Sequence, residues 1–312
     1  MGAERFVPQR EIGRTGFVST RLGIGDLADR AVPIEKCVAT VRRALEAGLN
    51  LIDTAPGYEE GYSEEIVGRS LAESGVREKV FVIDKVDELQ DAVEPQVDAS
   101  LRRLGLAHVD LLVMHDLKQI EIWEEAMRPG GAFDQLDACI KKGKARFKGI
   151  SSHSPEVLMK AIALEGARRM DVVMFPVGPF VDRRYVEEVL PAAKERRIGT
   201  VCFKTFGGGK LLGDTEGYQR PLASRPRGKL SSGGEDTQAA TLPRMTVEEC
   251  LHYTLTLDPD VALLGMSFFN EQDAAFEAMR TYHGPMADER MGEIRRRAQV
   301  AVQGKGKCWW NP

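Results

Sequence analysis

Cysteine is scarce in this 312-residue chain and never paired. Cys37, Cys139, Cys202, Cys250 and Cys308 stand singly, so no CxxC spacing offers a zinc site, an iron-sulfur ligand set or a redox dithiol. Each is read as a small buried hydrophobe in a reducing compartment. An excess of positive charge is missing too. The 43 Lys and Arg against 47 Asp and Glu leave a formal charge of -4, which gives no basic field for nucleic acid. No uninterrupted apolar stretch reaches the ~18 residues that suit a bilayer, and MGAERFVPQR lacks the apolar core of a secretory signal. These absences predict a cytoplasmic, soluble protein that meets a small molecule, not nucleic acid or a membrane. Self-association is not readable from them.

What is present is repetition. A hairpin over about residues 8–20, turning at Arg14, Thr15 and Gly16, is followed by eight short apolar runs: RLGIG, LNLIDT, VFVIDK, DLLVMHD, FKGISSH, DVVMFPV, GTVCFKTF and VALLGMS. Amphipathic segments with helical spacing lie between them. Ser154 before Pro155, and Thr246, serve as start signals, and Gly48, Gly75 and Gly105 as stops. Eight strand and helix units of this size predict an α/β fold, one (β/α)8 TIM barrel domain spanning 1–312 with a C-terminal tail over about 285–312. Its site belongs at the C-terminal strand ends. Two connections exceed the usual few residues: LKQIEIWEEAMRPGGA after the fourth run and the long Gly-, Ser- and Pro-rich segment after the seventh. Both leave strand C-termini, so both are expected to hang over the site. A rival reading takes Gly23, Gly25 and Ala28 as a GxGxxA dinucleotide fingerprint, but that pattern needs a helix to open inside the glycines, and here helical spacing begins only after Pro33.

The stretch LNLIDTAPGY ends an apolar strand in Asp53 and places Tyr58 just beyond a turn at Pro56 and Gly57. A carboxylate emerging from a core needs a partner. Lys85 and His115 stand at the ends of the next two strands. Lysine is the natural partner of Asp53, and beside a tyrosine it favours the phenolate, making the phenol a workable acid and base. His115 can hold a substrate oxygen by a hydrogen bond. Taken singly, the bland readings stand beside these: a structural ion pair, a satisfied histidine, a packed ring.

Together, LNLIDTAPGY, VFVIDK and DLLVMHD, with the opening REIGRTGFVSTRLGIG and the segment GYSEEIVGRSL, resemble the aldo-keto reductases in order and spacing from about Arg10 to about Met279. The resemblance implies an oxidoreductase that reduces an aldehyde or ketone, or runs the reverse oxidation, with hydride from a nicotinamide cofactor, NADP(H) ahead of NAD(H). It implies Tyr58 as proton donor, Lys85 as the group tuning it, Asp53 as the residue orienting the lysine, and His115 as the group orienting the carbonyl. Ser151 and Ser152 fall where the family grips the cofactor's carboxamide with Ser-Asn, and Met174 falls where it has Gln. Val177 or Phe180 stands for the family's ring-stacking aromatic. Gly265 and Ser267 match the phosphate-binding turn, whose usual basic residue is absent; Lys204, Lys210 and Arg280 are the candidate substitutes, with a plain surface charge preferred for Arg280. The segment Phe206, Gly207, Gly208, Gly209 and Lys210 resembles a glycine-rich lid over the pyrophosphate, with a plain flexible loop as its rival; it is not a Walker A motif. Some relatives carry C-terminal iron-sulfur cysteines, and the lone Cys308 excludes such a cluster here. A sugar-type substrate is favoured by Trp123, Trp309 and Trp310. The alternatives are a cofactor-binding sensor or regulatory subunit with little turnover, and a Schiff-base chemistry at Lys85.

Overall fold

A computed structural model of the chain describes residues 5–25, 30, 32–213, 243–266, 269–305, 308 and 311. Ser267, Trp309, Trp310 and most of the long segment after the seventh apolar run lie outside the described residues. The expected hairpin is β1 (Arg10–Glu11) with β2 (Val18–Ser19), paired antiparallel. The eight apolar runs become β3 (Leu22–Ile24), β4 (Leu51–Asp53), β5 (Phe81–Val86), β6 (Val109–Met114), β7 (Ala145–Ser151), β8 (Val172–Pro176), β9 (Gly199–Phe203) and β10 (Val261–Leu264). They close into a barrel of parallel neighbours in the order β10-β3-β4-β5-β6-β7-β8-β9.

Helices wrap the barrel: α1 (Ile34–Glu46), α2 (Tyr62–Ser74), α3 (Val93–Leu104), α4 (Ile120–Met127), α5 (Ala132–Lys141), α6 (Pro155–Ile162), α7 (Leu190–Glu195), α8 (Val247–Thr256), α9 (Phe269–Arg280) and α10 (Asp288–Ala301). Their ends obey the chemistry of orphan backbone groups. The Ser154 hydroxyl accepts the Val157 N–H, and Thr246 with Glu249 forms a reciprocal capping box. Gly75 and Gly105 take left-handed backbone just past α2 and α3. Ala28 lies outside the described residues; among those described, the first helix after Gly23 and Gly25 is α1, which opens only at Ile34, against the dinucleotide-fingerprint reading.

A period of two sorts the strands. Leu51, Phe81, Ile83, Leu111, Val113, Val172, Met174, Val201, Val261 and Leu263 fill the barrel interior. Their strand neighbours Ile52, Val82, Leu112, Val173, Cys202 and Ala262 pack against the helices. The hairpin plugs the N-terminal end. Ile12 and Phe17 reach the interior cluster, with the Phe17 and Phe81 rings 5.1 Å apart, and the Gly13 N–H donates to Asp260 at 3.2 Å.

The segment after β6 is a correction. It is not a plain loop: it folds into α4, which packs on α5 and α6 and buries Trp123 and Ala126 in the outer core. Trp123 is only 5% exposed and so is no platform for a sugar.

The helix layer is close enough to be tested at Gly68, in the middle of α2. A Cβ there would sit 2.9 Å from Leu104 Cα and closer still to the Leu104 carbonyl. Backbone cannot yield as a side chain does. Gly68→Ala is expected to destabilise the fold by about 1–3 kcal/mol, despite alanine's better helix propensity; urea unfolding checks it.

Candidate active site

The period of two aims one residue type after another into the mouth. Asp53 follows Leu51, Lys85 follows Phe81 and Ile83, and His115 follows Leu111 and Val113, so all three continue inward-facing rows at their strands' C-terminal ends. Asp53 and Lys85 are 3% and 2% exposed. The Lys85 ammonium stands 2.7 Å from Asp53 Oδ1 and donates to the Thr54 carbonyl at 2.6 Å. Tyr58 sits in the turn after β4, where its N–H donates to the Ala55 carbonyl. Its ring covers the ammonium, with Lys85 Nζ 4.5 Å from the ring centroid. The His115 ring meets Tyr58 edge to face, at 5.7 Å between centroids and 81° between planes. A buried ammonium is thus held by a carboxylate, a carbonyl and a phenol face, the kind of pairing that makes burial of a charge tolerable.

Asp87, two residues beyond Lys85 in the same row, escaped the sequence reading. One of its oxygens lies 2.5 Å from His115 Nδ1; the other accepts the Gly57 N–H at 2.7 Å. Burial pushes the Asp87 carboxyl up, but the His115 contact, the Gly57 N–H and the Lys85 charge outweigh that and leave it below the ordinary range. The signal was present in the run VFVIDKVD, where position 87 keeps the parity of 81, 83 and 85.

A second histidine and carboxylate pair bridges the residues that leave the neighbouring strands β6 and β7. His153 Nδ1 is 3.0 Å from Asp116 Oδ1, and the His153 ring lies 5.1 Å from the Phe203 ring. Burial and the nearby Lys204 charge lower the His153 imidazole against the pull of Asp116. Glu59, Glu60, Asp116 and Lys204, all in loops leaving strand C-termini, take positive φ. Such strained backbone gathers where the surrounding structure imposes it, commonly at functional sites.

The expected cofactor grip divides. Ser151 ends β7 on the inward row that carries Phe147, and Met174 lines the interior opposite it. Ser152 has the other parity. It is fully buried, its hydroxyl donates to the Leu117 carbonyl and accepts the Ser154 N–H, so it holds backbone instead of facing a ligand. Val177 is buried in the outer core and Phe180 packs with Leu211, Leu212 and Tyr253. The aromatic at the mouth is Phe203, which continues the inward row of β9 and packs on the interior cluster. Gly207, Gly208 and Gly209 follow with φ of 54°, 62° and 88°, a run open to close backbone approach by phosphate oxygens. Phe206 anchors that run by packing beneath it. Lys210 is 2% exposed, and its carbonyl accepts Lys305 Nζ at 2.9 Å; it is buried, not displayed as a surface cation. Gly265 is exposed at the end of β10, and its companion Ser267 lies outside the described residues. Arg280 pairs with Glu277 at 3.5 Å on the surface of α9. Among the described residues no group of His, Cys, Asp and Glu is arranged to hold a metal, and no helix is long and apolar enough to cross a membrane.

Behind the site, Asp84 has the opposite parity from Lys85 and points into the helix layer. It is fully buried near Glu64, which pairs with Arg103. Burial, and then the Glu64 charge, push the Asp84 carboxyl from 3.8 up to about 7. The folded state therefore keeps a proton that the unfolded chain releases, and stability falls as pH rises from about 4 to about 7. Asp84→Asn is expected to exceed the wild type in stability at about pH 8, by an amount on the order of 4 kcal/mol at most. Thermal unfolding across pH checks it: the advantage should shrink toward about pH 4.

The sequence model of the Aldo/keto reductase family matches residues 21–263. The chain is 33% identical over 233 residues to the aldo-keto reductase YhdN of Bacillus subtilis, an alignment that covers 66% of this chain and 65% of that protein. It is 26% identical over 271 residues to L-galactose dehydrogenase of Arabidopsis thaliana, covering 83% of each. The alignment with YhdN thus spans just under two thirds of that relative's length. Among solved structures, the holo form of the aldo-keto reductase AKR11C1 from Bacillus halodurans superimposes with a TM-score of 0.68 at 24% identity, covering 95% of this chain and 98% of that one; it shares the fold. The family match runs from the approach to β3 into β10, over the whole barrel that carries the paired Asp53 and Lys85, and the chain belongs to the aldo/keto reductase family.

Proposed function

We propose that this chain is an NAD(P)H-dependent oxidoreductase that reduces an aldehyde or ketone, of sugar type or smaller, to the alcohol, or runs the reverse. The observation that carries the reading is the Lys85 ammonium, 2% exposed, held between Asp53, the Thr54 carbonyl and the face of Tyr58. An ion pair serving structure alone has no need of a phenol at the barrel mouth, nor of a histidine ring 5.7 Å from that phenol.

A bound nicotinamide would supply the hydride. The chain's own residues do the rest. The Tyr58 hydroxyl gives its proton to the substrate oxygen, and the Lys85 charge favours the phenolate left behind. Asp53 holds Lys85 against the ring. His115 holds the substrate oxygen from the other side. The donor set fits a dinucleotide: the left-handed glycines 207 to 209 let a pyrophosphate approach the backbone closely, with the Gly207 and Gly209 N–H groups themselves donating to the Lys204 and Phe206 carbonyls, and Phe203 and Ser151 face the mouth where a planar ring and its amide would rest. Lys204, at the root of the glycine run, is a cation suited to an additional phosphate, which puts NADP(H) ahead of NAD(H). Ser152 is left out of this grip by its parity, and Lys210 by its burial.

The test is loss of absorbance at the reduced-nicotinamide band with an activated aryl aldehyde, NADPH and NADH run in parallel. Consumption of either cofactor supports the reading, and the faster one names the preference. Tight binding of a cofactor with no consumption contradicts it and favours a cofactor-binding sensor.

A further inference from the structure

Directly beyond Tyr58 the backbone enters a conformation that side chains resist. Glu59, Glu60 and Gly61 take φ of 51°, 54° and 85° in succession, and only glycine adopts that left-handed form without steric penalty. Such a run persists only where its surroundings hold it. The holding group is Arg30, from the connection between β3 and α1. Its guanidinium donates twice to the Glu59 carbonyl, from Nε at 3.0 Å and from Nη2 at 2.6 Å, and Nη2 also reaches the Glu60 carbonyl at 3.3 Å. A rigid planar fork can grip two adjacent carbonyls in this way, as a compact ammonium does not.

Tyr62, the first residue of α2, completes the clamp. Its ring supports the guanidinium, with Arg30 Cζ 5.1 Å from the centroid. Its hydroxyl donates to the Val32 carbonyl at 3.0 Å, two residues beyond Arg30, so Arg30 is fastened to the same turn it grips. The ion pair of Arg30 with Glu60, at 4.0 Å, adds little because the Glu60 side chain is 94% exposed. Contacts to backbone carry the clamp.

The turn is tied on both sides of Tyr58. Ahead of it, the Gly57 N–H donates to Asp87 at 2.7 Å and the Tyr58 N–H to the Ala55 carbonyl at 3.1 Å. Behind it, the Tyr58 carbonyl accepts the Ser63 N–H at 3.3 Å and the Glu59 carbonyl accepts the Tyr62 N–H at 3.1 Å. Both of these last bonds close across the left-handed residues. The backbone that Arg30 holds is therefore the backbone that sets where Tyr58 stands.

We infer that Arg30 is a positioning residue: by clamping the strained backbone of Glu59 and Glu60, it fixes the direction in which Tyr58 presents its hydroxyl at the barrel mouth. This rests on the reading of Tyr58 as proton donor and deepens it, assigning that presentation to a side chain from the preceding connection. Arg30 acts on backbone, not on substrate or cofactor.

Two measurements decide it. Arg30→Met keeps an apolar stem beside Tyr62 and removes every donor. It should lower kcat about tenfold to a hundredfold, the effect of a small misplacement of a reacting group, with little change in KM for cofactor or aldehyde. Glu60→Gly supplies the rescue. The Glu60 side chain is exposed, so the change acts on the backbone and eases the conformation that the clamp holds. Added to Arg30→Met it should regain most of the lost kcat, and alone it should change little. An arginine that contacts a ligand would instead raise KM and gain nothing from Glu60→Gly. That pattern, or an unchanged kcat in Arg30→Met, overturns the inference. The second measurement needs no turnover. Amide hydrogen exchange at Tyr62 and Ser63 should be faster in Arg30→Met than in the wild type, and slower again once Glu60→Gly is added. Exchange unaffected by Arg30→Met overturns the inference even if no carbonyl compound proves to be a substrate; a wild type that reduces nothing is a failure of the oxidoreductase reading instead.

Discussion

Tyr58→Phe is expected to lower turnover by about a hundredfold to ten-thousandfold, the range that a positioned acid supplies, while cofactor affinity stays within about twofold of the wild type. The expectation follows from which contacts the ring makes. Lys85 rests on the face of Tyr58 and His115 meets it edge to face, and both contacts survive in phenylalanine. Only the proton-bearing oxygen is removed. Single-turnover rates with saturating cofactor, alongside a fluorescence titration of cofactor binding, separate chemistry from binding. A variant that turns over normally would remove Tyr58 from the chemistry.

Lys85→Met should be damaging twice over. It removes the charge that favours the phenolate, and it strands Asp53, 3% exposed, with no ammonium at 2.7 Å and with the Thr54 carbonyl deprived of its donor. Breaking a buried pair from one side destabilises by about 3–5 kcal/mol, so a marked fall in the urea midpoint is expected together with loss of turnover. The double variant Asp53→Asn, Lys85→Met distinguishes the two effects. It removes the stranded charge and should regain most of the stability, yet its turnover should stay lost. If the double variant regains both, the pair is structural and the chemistry lies elsewhere.

The barrel was legible because its signal is periodic and repeated. Each apolar run alternates as a strand must, and helix ends such as Ser154, Thr246, Gly75 and Gly105 carry local chemistry that owes little to tertiary context. Asp53, Lys85 and His115 were found by position at strand ends, and the same parity argument, pressed further, separates what was misjudged. Position 152 has the wrong parity for the mouth, and the Ser152 hydroxyl is spent on Leu117 and Ser154. Position 203 has the right one, so Phe203, not Val177 or Phe180, brings an aromatic ring to the barrel mouth. Asp87 continues the row of Lys85. Its contacts were invisible in sequence because they reach the His115 ring of the neighbouring strand and the Gly57 N–H, residues distant in the chain. Trp123 misled for a different reason. Aromatic content alone cannot tell a binding platform from core, and the helical spacing of Ile120, Trp123 and Met127 was the better guide. Specificity drawn from the tail and the long segment after β9 concerns residues outside those described.

The central claim is that the barrel mouth moves a hydride to a carbonyl carbon with Tyr58 supplying the proton. The most direct measurement is deuterium transfer from a C4-deuterated reduced nicotinamide to an aldehyde, read by mass spectrometry of the product alcohol, in the wild type and in Tyr58→Phe. One deuterium per product molecule in the wild type, and product formation nearly abolished in the variant, is the predicted result. Cofactor bound tightly with no deuterium appearing in any alcohol product, or the same transfer in both proteins, would contradict it.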